Sequence, residues 1–360
     1  MTLMNRLDIE LEARARSGCI VWLPPNSACS WWVNYGRGMR IGINATGLVQ
    51  RASVEAFISH ARVAEADGFS SYWVAEHPTG GLDALTVIAL VGQHVERMEL
   101  GTAVIPTYPR HPMVLAGQAL TTQSAIRSRL TLGIGLSHKV MMGALGIEDA
   151  KPIRHLRDYL SVLGPLLNSG RVAYEGETIS CTAEVFKRAV TPPQLLVAAL
   201  GPQALAATGA LADGTSLAWV GPKTIRTHIV PLLNEAAAAA GRSSVPRVLA
   251  TLPVCVTENA SSIRTQITHM SAMYAQLPSY QAMFQREGVS EPGELGIVGS
   301  EAEVEEALGV LAAAGVTDFA ASEFTPTPDE KLRTRALLKR LAGAFCQNDT
   351  TGSSKASPNG

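Results

Sequence analysis

Two histidines in this chain directly follow short apolar runs: His77 ends the run Trp73-Val74-Ala75-Glu76-His77, and His138 ends Gly133-Ile134-Gly135-Leu136-Ser137-His138. An imidazole where a strand gives way to a loop can donate or accept a proton near neutral pH, and Glu76 places a carboxylate beside one of them. The other six histidines (His60, His94, His111, His155, His228 and His269) fall in helix-like stretches or at their starts and are read as structural. A different chemistry is written into Leu200-Gly201-Pro202-Gln203, a glycine-containing turn that opens a helix right after an apolar run. Such a turn aims backbone N–H groups and the positive end of the helix dipole at an anion such as a phosphate. Gly133 and Gly135 let a second backbone approach a ligand closely, or else serve close packing between strands.

Several chemistries lack their residues. No His-x-His follows the first strand-like run, and no strand end offers a matched set of carboxylates, so neither a metallohydrolase site nor a magnesium site is expected. The lysines just past apolar runs are Lys139 and Lys223, which is weak support for a buried Schiff-base lysine. The five cysteines (Cys19, Cys29, Cys181, Cys255 and Cys346) are scattered and never form a C-x-x-C pair, which argues against a zinc site or a disulfide framework and fits a reducing cytoplasm. What remains suits a planar cofactor that carries a phosphate.

The elements that must position these residues alternate. Strand-like runs fall at 40–44, 71–75, 99–105, 130–135, 195–199, 215–219, 248–256 and 317–321. Between them Val54, Phe57, Ile58, Ala61 and Ala64 keep helical spacing, as do Val304, Ala307, Leu308 and Leu311. Ser300 with Glu303 predicts a capping box, and Pro202 and Pro222 suit first helical positions. Eight βα units favour closure into a (β/α)8 TIM barrel, with the active site at the C-terminal ends of the strands. Two segments exceed the repeat, 171–193 after helix 4 and 260–296 after strand 7; the second is assigned to substrate contact.

The chain has 360 residues, with 30 Lys+Arg against 31 Asp+Glu and a formal net charge of −1. That balance gives no overall field for nucleic acid, and no run is apolar enough for a membrane span. Residues 1–38 read as an N-terminal extension, with Met39 expected to be the natural start. Residues 39–345 read as the barrel domain and 346–360 as a disordered tail.

At this point the sequence resembles the bacterial luciferase-like superfamily of flavin- and deazaflavin-dependent oxidoreductases. The likeness covers about 39–342 and rests on Trp73-Val74-Ala75-Glu76-His77, Leu100-Gly101-Thr102-Ala103-Val104, Arg110-His111-Pro112-Met113-Val114-Leu115-Ala116, Arg129-Leu130-Thr131-Leu132-Gly133-Ile134-Gly135 and Val197-Ala198-Ala199-Leu200-Gly201-Pro202. Gln118-Ala119-Leu120-Thr121-Thr122-Gln123 and Gly135-Leu136-Ser137-His138 resemble the branch that uses coenzyme F420, a deazaflavin.

The resemblance implies a barrel that holds the cofactor ring in its mouth against a bulge in strand 3, with a non-proline cis peptide at Ala103-Val104. It implies phosphate binding through the N–H groups of Ala199, Leu200 and Gly201, and His77 near the reacting carbon. The full expected cofactor set is Thr46, Ala103, Val104, Thr107, Gly135, Leu136, Ser137, Ala198, Ala199, Leu200, Gly201 and Pro202, with His77, His138 and Glu76 catalytic and no metal. A basic rim for an acidic cofactor tail is expected from Arg110, Arg127 and Lys139. Sugar-phosphate oxidising members carry an acid where this chain has His138 and a tryptophan where it has Gly80 or Gly81, which argues against a sugar phosphate. The usual small-Gly-Gly before the strand 4 arginine is replaced by Ile126-Arg127-Ser128.

The expected function is an F420-dependent oxidoreductase moving a hydride between the deazaflavin and a small organic substrate. The alternatives are an FMN-dependent luciferase-like monooxygenase and a non-catalytic flavin-binding barrel. A homodimer is the default assembly.

Overall fold

The computed structural model describes residues 38–49, 52–77, 80–148, 150–185 and 191–349, so the readings of residues 1–37 and 350–360 lie outside the described residues. Eight parallel strands close on themselves. In order round the barrel they are β1 (Arg40–Asn44), β2 (Ser71–Val74), β3 (Glu99–Thr102), β5 (Leu130–Gly135), β8 (Gln194–Val197), β9 (Gly214–Ala218), β10 (Arg247–Thr251) and β13 (Asp318–Glu323). Closure is the pairing of β1 with β13, in the register Ile41↔Phe319 and Ile43↔Ala321. The remaining strands are β4 (Ile105–Pro106), which pairs β5; the antiparallel hairpin β6 (Arg171–Tyr174) and β7 (Cys181–Glu184); and β11 (Pro253–Val256) with β12 (Ile297–Gly299).

The barrel is filled, not hollow. Trp73 is fully buried among Leu196, Leu249 and Ala320. Its indole lies over Gly101, where a Cβ would stand 2.1 Å from the ring, and its Nε1 donates to Ser71 Oγ at 2.8 Å. At the N-terminal end of the strands Arg247 bonds Glu99 at 2.9 Å and Asp318 at 3.0 Å, so the charges there close the floor and stand away from the mouth.

Helices expected from periodicity form. Val54–Ala66 buries Phe57, Ala61 and Ala64, and Ser53 caps its first turn. Glu301–Ala313 carries the Ser300–Glu303 capping box and buries Val304, Leu308 and Leu311. Pro202 opens Pro202–Leu211.

Two strand readings needed correction. The 99–105 run breaks after Thr102, where the Ala103-Val104 peptide is cis, and resumes as β4. The 248–256 run breaks at Leu252, because Pro253 has no N–H to continue the ladder. Its second half pairs β12, which follows directly on the stretch read as an insertion, and the far end of β13. The final helix, Pro328–Asp349, continues past the 345 boundary. Among the described residues no helix is long and apolar enough to cross a membrane.

Candidate active site

The C-terminal strand ends surround a cavity of about 460 Å³. One wall is the break in strand 3. Ala103 N–H donates to Val74 O at 2.9 Å and Glu76 N–H to Val104 O at 3.2 Å, so the cis peptide is pinned to the end of β2. Val104 faces Gly135, where a Cβ would lie only 2.9 Å from a Val104 methyl; glycine is what lets the valine lean into the mouth. Beyond Gly135 the chain passes Leu136 and Ser137, the latter at φ +65°, to His138.

The adjoining wall, on the other side of β5, is the turn after β8. Ala198 N–H is spent on Ile134 O at 2.8 Å, whereas the N–H groups of Ala199, Leu200 and Gly201 have no backbone acceptor among the described residues. His228 Nε2 meets Leu200 O at 2.9 Å and holds the turn from behind. Asn44 Oδ1 accepts from Thr46 N–H at 2.8 Å, and Thr46 Oγ1 is buried with no hydrogen-bond partner among the described residues.

A third wall is aromatic. His138 stands edge to face with Tyr274 and tilted to Tyr280, its ring centroid 5.9 Å from each, and Trp219 lies 5.6 Å from Tyr274. Burial, with the nearby His77 adding to it, holds the His138 imidazole below its ordinary value. Burial likewise raises Tyr274 and Tyr280, so both keep their phenolic protons.

Most of the expected residues come together. Thr46, Glu76, His77, Ala103, Val104, Gly135, Leu136, Ser137, His138, Ala198, Ala199, Leu200 and Gly201 all line the cavity. Thr107 does not: it is fully buried behind the break, 3.1 Å from His155 Nε2. Pro202 is exposed, outside the lining. Glu76, expected among the catalytic residues, lines the cavity as a carboxylate ion-paired with Arg110.

Of the expected basic rim only Lys139, exposed just after His138, stands at the mouth uncommitted to an ion pair among the described residues. Arg110 is committed to Glu76 and Asp83, and Arg127 precedes β5 and so stands at the opposite end of the barrel. Gly133 also serves packing alone, since a Cβ there would meet Thr102 O at 2.0 Å.

Sequence reasoning missed Trp219, Tyr274 and Tyr280 as wall residues. Trp219 ends a predicted strand and was open to the same inspection as His138. Tyr274 and Tyr280 come from the second insertion, in the helices Ala272–Ala275 and Pro278–Glu287. Among the described residues the first insertion contributes none to the wall; its hairpin is fastened by Asp158, which accepts from Tyr174 Oη at 2.8 Å and Thr178 N–H at 2.7 Å. Among the described residues no cluster of His, Cys, Asp or Glu could hold a metal ion.

The mouth of the closed barrel thus carries a broken third strand and, one strand over, a row of open main-chain donors. Residues 39–325 match the luciferase-like monooxygenase family, and the chain belongs to it. A 5,10-methylenetetrahydromethanopterin reductase of Methanopyrus kandleri is 27% identical over 199 residues, covering 51% of this chain and 56% of the relative. An F420-dependent glucose-6-phosphate dehydrogenase of Nakamurella multipartita is 29% identical over 192 residues, 50% and 57% of the two chains. This chain thus spans little more than half the length of those relatives. Among solved structures, the coenzyme F420 dependent tetrahydromethanopterin reductase of Methanopyrus kandleri superposes with a TM-score of 0.72 at 20% identity, over 85% of this chain and 99% of that one. A type II Baeyer-Villiger monooxygenase component from a Pseudomonas putida plasmid, in complex with FMN, gives 0.68 at 14% identity, over 86% and 98%.

Proposed function

We propose that this protein is an F420-dependent oxidoreductase that acts on a small organic substrate. The observation that carries the reading is that one cavity is lined side by side by Val104, at the break in strand 3, and by the open N–H row of Ala199, Leu200 and Gly201, with His77 and His138 lining the same cavity. The residues present fit the cofactor: Val104 gives a flat ring an apolar backing, the N–H row suits a phosphate, and the unpartnered Thr46 Oγ1 offers one more hydrogen bond. When bound, coenzyme F420 supplies a hydride-carrying ring. The protein does the rest. The N–H groups of Leu200 and Gly201 would hold the phosphate, Val104 and Gly135 would back the ring, and the aromatic wall would exclude water. His77 and His138 hold the substrate oxygen and exchange its proton with solvent. The relatives named as F420-dependent support the choice of cofactor.

A second reading, an FMN-dependent monooxygenase, draws on the FMN-bound structural neighbour. Fluorescence titration of apo protein with each cofactor tests the two. Saturable binding of F420 with weak binding of FMN is expected; tight FMN binding without F420 binding, joined by dioxygen consumption with reduced FMN, would reverse the assignment.

A further inference from the structure

Resting on that reading, we infer that the substrate is an uncharged ketone or secondary alcohol built on an aromatic or fused-ring body, seated in a subsite made by Trp219, Tyr274, Tyr280, His138, Met141 and Ile153. These six side chains line the cavity from four separate regions: the end of β9, the start of the helix Lys139–Ala144, the start of the helix Pro152–Asn168, which carries Ile153, and the second insertion. Two of the ring pairs stand edge to face: Tyr274 and Tyr280 lie 5.2 Å apart at 79°, and His138 meets Tyr274 at 83°. Four rings with the apolar side chains of Met141 and Ile153 beside them make a wall that an aromatic guest gains most from filling.

The wall is held in place by its surroundings. Trp219 adopts φ +57°, a left-handed conformation unfavourable for a bulky residue. Its indole packs on the cluster of Cys255, Ile263, Ile267 and Val298, which ties the end of β9 to the insertion helix Ala260–Met270. Tyr280 is only 9% exposed and packs on Phe284 at 6.4 Å. A strained tryptophan braced this way is a surface prepared in advance, which lowers the cost of ordering it when a guest binds.

The same wall rejects anions. No Lys or Arg side chain is among the described lining residues, and Arg110 is already shared between two carboxylates. A carboxylate or phosphate placed there would be desolvated without a counter-charge. A neutral carbonyl or hydroxyl oxygen instead finds the two imidazoles.

The test compares two isosteres, 2-acetonaphthone and 2-naphthoate, by isothermal titration calorimetry on the full chain loaded with F420 and on the chain alone. Saturable binding of 2-acetonaphthone, at least about tenfold tighter than 2-naphthoate, is expected. Tyr274→Leu and Tyr280→Leu should each weaken it by about tenfold, with F420 affinity unchanged and Tyr274→Phe close to wild type. Tighter binding of 2-naphthoate, no saturable binding of either compound, or full affinity in both leucine variants would overturn the inference. Failure of the cofactor reading looks different: F420 would not bind, while the unloaded chain would still prefer the ketone.

Discussion

Arg110 grips Glu76 by both carboxylate oxygens, one guanidinium nitrogen bonding Oε1 and the other lying 3.1 Å from Oε2, and that second nitrogen also bonds Asp83. Glu76 Oε2 accepts a further bond from Ala84 N–H at 3.2 Å. The pair therefore braces the end of β2 against the segment after β4 and the start of the helix Ala84–Val91. Arg110→Met would strand two carboxylates, and a loss of about 2–3 kcal/mol in urea unfolding is expected. Glu76→Gln should cost less, because Asp83 still holds Arg110, and should leave turnover within a few-fold. Loss of turnover in Glu76→Gln at unchanged stability and cofactor affinity would return Glu76 to the chemistry.

The two glycines of β5 should behave differently. At Gly133 an added Cβ collides with backbone, Thr102 O at 2.0 Å, whose neighbouring hydroxyl donates to Gly133 O at 2.7 Å. At Gly135 it meets a Val104 methyl at 2.9 Å and Ala198 Cβ at 3.1 Å, side chains that can give way. Gly133→Ala is expected to lower stability by at least about 2 kcal/mol, and Gly135→Ala by about 1 kcal/mol with a several-fold loss of cofactor affinity. Unfolding curves and a fluorescence titration on both variants decide the matter; equal effects on affinity would contradict this division.

Acid should weaken the fold through His155. Burial holds its imidazole down to about 4, with nearby Asp158 opposing; it is 9% exposed and lies flat on Tyr108, ring centroids 3.9 Å apart. The unfolded chain takes up this proton near its ordinary value while the folded one refuses it. The stability that the neutral ring confers is thus complete above the unfolded value and drains away as the pH falls toward the folded one. From pH 7.5 to 5 the loss at this residue is about 2 kcal/mol. His155→Gln, which can keep the bond to Thr107, should flatten the pH dependence of unfolding by that amount. An unchanged slope would mean that the ring is charged in the native state.

Much of this site was legible because a barrel converts order along the chain into position: whatever follows a strand is at the mouth. That rule found His77, His138, Val104 and the turn at Leu200-Gly201. The same rule puts Arg127, expected at the rim, at the floor, because it precedes a strand; it could not tell that Glu76 would find Arg110. Charge pairing between segments 34 residues apart leaves no periodic trace. The break at Leu252 was hidden for a related reason, since an apolar run reads as one strand whichever partner each half takes. Tyr274 and Tyr280 were out of reach because the insertion that carries them belongs to no repeat.

The two rim histidines are coupled, and the coupling can be measured without turnover. Burial is the larger cause of the lowered His138 value, and the charge of His77 adds to it. Removing that charge in His77→Gln should therefore raise the His138 midpoint toward its ordinary value, while His138 stays below it because burial persists. Proton NMR titration of the His138 C2–H in the full chain reads this directly, with His138→Gln identifying the resonance. In steady state, each single variant should lose about 100-fold or more in kcat/KM if the two imidazoles handle the substrate proton, with F420 affinity kept. A His138 midpoint that moves down in His77→Gln would show that His77 stabilises the imidazolium, which is the reverse of the arrangement described above.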